Sequence, residues 1–199
     1  LVTKKLGTLC PGCKIQTSTV SPDGQHLAYV AKDGNKRFIV LDGKERDGYD
    51  WVNYLTFSPD SQHLAYRAYK DNKIFVVLDG KEGEKYDRVY SIVFSPNSQH
   101  LAYEADDGNK SFIVLDGKEG KKYDWVDIPI FSLNSQHFAY AVGKGNKSFI
   151  VLDGKEGKKY DEIDFPTFSP KGKHFAYAAR EGKKAFVVLD GKEGKKYDR

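Results

Sequence analysis

The chain has 199 residues, 39% hydrophobic and 14% aromatic, with 32 basic against 28 acidic side chains and a formal net charge of +4. That near-balance gives a solvated surface of mixed sign rather than the basic footprint of a nucleic-acid binder. No apolar run approaches the ~18 residues of a membrane span, and no signal-peptide core is visible. The length suffices for one well-buried domain, and 13 Tyr and 12 Phe lean towards strands. The chain begins at Leu1 and contains no Met, which we read as a processed or trimmed N-terminus.

In chain order, residues 1–14 form an N-terminal segment that carries Cys10-Pro11-Gly12-Cys13, the only two cysteines. Residues 15–199 then divide into five repeats of 37 residues: 15–51, 52–88, 89–125, 126–162 and 163–199. Ser21-Pro22, Ser58-Pro59, Ser95-Pro96, Ser132-Leu133 and Ser169-Pro170 keep that step, as do Asp42-Gly43, Asp79-Gly80, Asp116-Gly117, Asp153-Gly154 and Asp190-Gly191. Such periodicity fixes an architecture before any single residue is interpreted. In the second repeat, apolar segments at 52–57, 63–68 and 74–78 are bounded by Ser58-Pro59-Asp60-Ser61, by Lys70-Asp71-Asn72-Lys73 and by Asp79-Gly80-Lys81-Glu82-Gly83, with Lys85-Tyr86-Asp87 at the end. Short apolar runs between Gly, Pro, Asn and Asp predict strand–turn–strand. Pro after Ser suits a type I turn, and Asp-Gly is a hairpin signal because Gly tolerates positive φ. The third segment (Phe38-Ile39-Val40-Leu41 and its copies) is apolar without alternation, so both of its faces are expected to be buried. No apolar stripe of helical period appears, which excludes helical repeats.

A sheet apolar on both faces must stack against copies of itself, and radial stacking into a ring leaves only protected edges. The repeat, Phe-Ser-Pro-Asp/Asn-Gly/Ser-Gln-His-Leu/Phe-Ala-Tyr followed by Phe-Ile/Val-Val-Leu-Asp-Gly-Lys-Glu, resembles the WD-repeat-like propeller blades of the TolB type. Departures are local: Val20 stands for Phe, Leu133 for Pro and Lys171 for Asp. The resemblance implies an all-β, five-bladed β-propeller with four antiparallel strands per blade. It forms a monomer if the ring closes within one chain, as we expect, and an oligomer otherwise. Members of this family serve as protein-docking modules, ligand-binding domains and caps on peptidases. The resemblance thus implies a binding scaffold, and with the missing initiator Met it favours a place outside the cytoplasm.

Candidate chemistry is iterated, which argues for structure. His26, His63, His100, His137 and His174 open the second strand of every repeat. Neighbouring copies would lie on the order of 10 Å apart, whereas zinc needs nitrogens at about 2 Å. These histidines are expected to bond the adjacent Ser-Pro-Asp turn. Ser58, Asp60 and His63 occur along a repeated turn, not as the single constellation a nucleophilic triad needs. No Gly-x-Ser-x-Gly elbow or phosphate-binding glycine loop is present, so neither an enzyme nor a cofactor is expected. Cys10 and Cys13 admit a disulfide or inert pair, half of a metal site, or a redox motif. The Gly-Lys-Glu-Gly-Lys-Lys-Tyr-Asp segments form a solvated rim.

The five copies do not differ evenly. The third segment and its turn hardly change, while the inter-repeat link and the end of the second segment do. In a propeller both emerge on one face. That face carries Trp51, Tyr54, Arg67, Tyr69, Arg88, Tyr90, Glu104, Trp125 and Asp127, a composition suited to binding a protein or small ligand. The alternatives are an enzyme of hydrolase or lyase type using Glu104, Asp127 and Asp164 as acid and base, or a purely structural module. A strongly raised carboxylate pKa there favours the enzyme; an aromatic, uncharged surface favours binding.

Overall fold

The computed structural model describes residues 13–198, apart from the side chain of Asp47. Cys10 lies outside the described residues, as does most of the 1–14 segment. Two compact units are present, Leu1–Ile92 and Val93–Arg199. In the first, β1 (Lys14–Val20), β2 (Leu27–Asp33), β3 (Lys36–Leu41) and β4 (Lys44–Tyr49) pair in sequence order. So do β5 (Trp51–Phe57), β6 (Leu64–Lys70), β7 (Lys73–Leu78) and β8 (Lys81–Glu82). The division falls within β9 (Arg88–Phe94). The second unit continues with β10 (Leu101–Asp106), β11 (Ser111–Leu115) and β12 (Lys118–Glu119). Its next sheet contains β13 (Trp125–Val126), β14 (Ile130–Phe131), β15 (Phe138–Lys144), β16 (Lys147–Leu152) and β17 (Lys155–Glu156). The last contains β18 (Glu162–Phe168), β19 (Phe175–Glu181), β20 (Lys184–Leu189), β21 (Lys192–Glu193) and β22 (Tyr197–Asp198).

The strand pairings among the described residues are antiparallel, and the strands sort into sheets of four strands or, in the last two, five. Opening strands start at even steps, at Lys14, Trp51, Arg88, Trp125 and Glu162. In the fourth repeat the opening strand splits into β13 and β14 around Asp127-Ile128-Pro129, whereas β18, with Pro166 at the place of Pro129, runs on through a bulge.

Turn chemistry explains this regularity. At Asp42-Gly43 both central residues take positive φ, +50° and +79°, the geometry of a type I′ turn that matches strand twist. Asp79, Asp116, Asp153 and Asp190 repeat it at +50° to +52°. Each aspartate also works across the hairpin: Asp79 Oδ1 accepts the Leu64 N–H at 2.9 Å and Oδ2 lies 2.7 Å from His63 Nδ1. The imidazole therefore bonds the Asp-Gly turn, not the Ser-Pro-Asp turn. It is the backbone N–H of His63 that reaches that turn, donating to the buried Ser58 Oγ at 3.0 Å.

Asp79→Ala removes two acceptors worth about 1 kcal/mol each and gives up the local hydrogen bonding that lets aspartate adopt the left-handed region, a conformation that costs other non-glycine residues about 1–2 kcal/mol. A loss of about 2–4 kcal/mol is expected in urea unfolding followed by Trp51 fluorescence, with Asp79→Asn losing less than half as much.

The core lies between successive sheets. In the first unit Val30, Ile39 and Tyr49 pack on Val52, Leu64, Tyr66, Phe75 and Val77. In the second, Ile113, Tyr123 and Ile150 join Phe149, Phe175, Tyr177 and Val188. Both faces of β11 and β16 are buried, as the unalternating sequence predicts. In β20 only one is: Phe186 and Val188 are buried while Val187 and Leu189 are exposed. The difference has a simple cause, since in the third and fourth repeats that second face packs on the sheet that follows.

Candidate functional site

The individualised residues assemble into two clusters, one in each unit. In the first, a β-bulge in β5 between Asn53 and Thr56 turns Tyr54 outward, with φ +52° and 58% of its surface exposed. A bulky residue there costs about 1–2 kcal/mol, a strain typical of sites that must aim a side chain. Arg67 on β6 stands opposite Asn53, and its Nε donates to Asn53 Oδ1 at 2.9 Å. One Nη donates to the Val89 carbonyl. Thus held, the guanidinium lies 4.4 Å from the Tyr54 ring and 5.7 Å from the Trp51 ring. Burial lowers its pKa from the usual arginine value, and the Tyr54 and Tyr90 phenols act in the opposite direction. Trp51 faces Tyr69 across the strands, and the Tyr69 hydroxyl donates to Asn72 Oδ1 at 2.9 Å. The structure thus brings Trp51, Tyr54, Arg67, Tyr69 and Tyr90 together, with Arg88 exposed at the start of β9.

The second cluster is acidic. Glu104 on β10 is half-buried, and its carboxyl is pushed up to about 7, first by burial and then by the negative charges of Asp127 and Asp106. Asp127 is oriented by its own backbone, its N–H donating to the Ala141 carbonyl at 2.9 Å while Oδ1 accepts the Ile128 N–H at 2.7 Å. Trp125 stands opposite Gly143, where a β-carbon would fall 1.8 Å from the indole Nε1. Glycine there lets the indole rest against bare backbone. Asp164, on β18, pairs with Ala178 and is not among the charges acting on Glu104.

Two residues escaped the sequence reading. Asn53 fixes Arg67, and Phe165 repeats the Tyr54 geometry, at φ +55° beside a bulge between Asp164 and Thr167 and 84% exposed. Their signal is positional: Thr17, Tyr54, Ser91, Ile128 and Phe165 fall at one place in the five repeats. Cys13 is disulfide-bonded. Among the described residues, no group of three or more His, Cys, Asp or Glu is placed to hold a metal ion, and no helix is long and apolar enough to cross a membrane.

Clefts also open between successive sheets on the side of the Asp-Gly turns. One of about 280 Å³ is lined by Leu41, Phe57, Tyr66 and Asp79. The other, about 450 Å³, is lined by Ile150, Leu152, Phe175, Tyr177 and Asp190. Both occupy equivalent places in the repeat, so they belong to the scaffold.

No family model matches the chain, and no curated protein matches it. Solved structures do. The chain is similar to the β-propeller domain of the Trilobed protease from Pyrococcus furiosus, at 15% identity over 94% of this chain and 71% of that one, with a TM-score of 0.53. It is similar to a eukaryotic initiation factor at 13% identity, 93% and 55% coverage and a TM-score of 0.61. TolB from Acinetobacter baumannii matches at 17% identity, 91% and 53% coverage and a TM-score of 0.49. The chain spans about half the length of the last two.

Proposed function

The fold being a β-propeller of the TolB type, we propose that this chain is a non-catalytic scaffold of five blades that binds a protein partner through the face bearing Trp51, Tyr54, Arg67 and Tyr69. The blades run 15–51, 52–88, 89–125, 126–162 and 163–199, after an N-terminal segment at 1–14, and the protein acts outside the cytoplasm. The observation that carries the reading is the preassembled stack of Arg67 on Tyr54 and Trp51. A guanidinium already fixed by Asn53 and Val89 loses little freedom on binding, and Trp, Tyr and Arg are the residues that dominate interface energetics. The strain at Tyr54 supports it, because burying that ring inside the protein would not require a left-handed backbone.

A photoreactive amino acid placed at position 54 tests this in cells that produce the chain. Cross-linking to one protein species is expected, together with its loss when Trp51 and Arg67 are both changed to alanine while the thermal transition is kept. Equal cross-linking with and without those two side chains would remove the reading. A second reading rests on Glu104: a half-buried carboxyl titrating near neutrality is a general acid–base candidate, with Asp127 as its neighbour in an enzyme of hydrolase or lyase type.

A further inference from the structure

The clefts on the side of the Asp-Gly turns share a place in the repeat, and that place belongs to the scaffold. Their contents differ. Between the first and second sheets Arg46 spans the mouth, where a β-carbon on Gly80 of the second sheet would fall 2.9 Å from its Nη1. Between the fourth and fifth sheets, both within the second unit, Gly157 stands in the place of Arg46 and Gly191 in that of Gly80. A β-carbon on Gly191 would meet nothing within 4 Å. This mouth is open, and the cleft behind it is the larger, about 450 Å³ against about 280 Å³. That volume lies in the range of small-molecule pockets.

Its floor is apolar and aromatic. Ile150, Tyr160, Phe175 and Tyr177 are buried beneath it. Tyr160 and Tyr177 meet edge-on, 6.2 Å between centroids, and Phe175 tilts against Tyr177 at 5.9 Å. Rings so arranged are held in place before any ligand arrives, and they offer edges and faces to a further planar group.

The rim is cationic. Lys155, Lys158 and Lys173 line it. Lys158 is answered by Glu193, but Lys155 and Lys173 are exposed and form no ion pair among the described residues. Asp190 is the carboxylate of the lining, and its oxygens are taken: Oδ1 accepts the Phe175 N–H at 2.9 Å and Oδ2 lies 2.7 Å from His174 Nδ1. Lys173 is peculiar to the last repeat, since Gln25, Gln62, Gln99 and Gln136 hold its place in the others. Between the third and fourth sheets Gly120 and Gly154 recur, yet Gln136 leaves that place uncharged. Two unanswered ammonium groups above an aromatic floor favour a ligand with one anionic head and an apolar body. A neutral ligand leaves the lysines unused, and a bare inorganic anion leaves the floor unused.

We propose that the cleft between the fourth and fifth sheets binds a small amphipathic anion, an aromatic carboxylate or sulfonate. Its ring lies on Phe175 and Tyr177, and its head sits between Lys155 and Lys173. The site is independent of the face that carries Trp51 and Arg67, so either can fail alone.

Fluorescence titration of the full chain with anilinonaphthalenesulfonate tests the proposal, with phenylnaphthylamine as its uncharged counterpart. Saturable binding of both probes is expected. Lys173→Gln restores the residue of the other repeats at an exposed position. It is expected to weaken the sulfonate about three- to fivefold and to leave the uncharged probe unchanged. Gly157→Arg brings in the side chain that spans the first cleft, and is expected to abolish binding of the uncharged probe. Circular dichroism checks that both variants keep their strands. Absence of saturable sulfonate binding overturns the proposal, as does an affinity that neither substitution changes. Equal losses of both probes in Lys173→Gln overturn it too, because the lysine would then act through shape and not through charge.

Discussion

Phe75→Ala is expected to destabilise the first unit by about 3–5 kcal/mol, the cost of emptying a closed aromatic site. The ring is fully buried and meets Tyr49 edge-on, 5.8 Å between centroids at 68°. Lys85 Nζ lies 5.5 Å over it. Its neighbours Val52, Tyr66 and Val77 sit on β5, β6 and β7 of its own sheet, and Val30, Ile39 and Tyr49 face them from the sheet before, so the hole left behind has walls from several hydrogen-bonded ladders and cannot collapse. Each unit carries one of the two tryptophans, Trp51 and Trp125, so urea unfolding of Phe75→Ala in a Trp125→Phe background reads the first unit alone. A fall in midpoint with unchanged slope is the expected result. The matched control, read through Trp125 of the second unit in a Trp51→Phe background, is Val187→Ala, which removes exposed apolar atoms from the equivalent strand of the last repeat. It is expected to change the unfolding free energy by less than about 0.5 kcal/mol.

How far the sequence carries one depends on whether a feature is local. Strands and turns are local, and the Asp-Gly and Ser-Pro steps placed the hairpins correctly because both turn types are written in the residues that make them. The histidine partner is not local. Asp79 lies sixteen positions from His63 in sequence, and only the folded hairpin brings it closer than the Ser-Pro-Asp turn beside it. Tyr54 and Phe165 show another limit. Nothing in an aromatic residue signals positive φ, since the conformation is imposed by the bulge against β6 or β19 and not by side-chain preference. The partly wrong expectation for the third strand has the same origin. A strand apolar on both faces says what it can bury, and Val187 and Leu189 show that burial depends on what lies beyond. For the candidate site, the sequence singled out Arg67 and Glu104 as departures at one repeat position, yet Asn53, which holds Arg67, becomes evident only across the strands; Asp106, two residues along β10 from Glu104, acts on it after Asp127.

Glu104 gives the second large effect, and its sign follows from linkage. Its carboxyl stands near 7 in the folded chain against a usual 4.5. A raised acid is easier to keep protonated folded than unfolded, so its ionisation costs stability as pH climbs from 4.5 towards 7, and the loss is complete above that. Glu104→Gln, which cannot ionise, is expected to be more stable than the parent by about 1–2 kcal/mol near pH 8, after allowance for solvent screening of a half-buried group. Near pH 4 the two should be equal. Asp127→Asn removes one of the charges that hold Glu104 protonated and should shift the parent's pH-dependent loss towards lower pH; thermal unfolding across that range measures both. The same variant separates the two readings of function. A scaffold that binds through Trp51, Tyr54 and Arg67 keeps its partner when Glu104 becomes Gln, because the amide fills the same space. An enzyme using Glu104 as acid or base loses turnover with little change in substrate affinity, and the limb of its pH profile near neutrality goes with it.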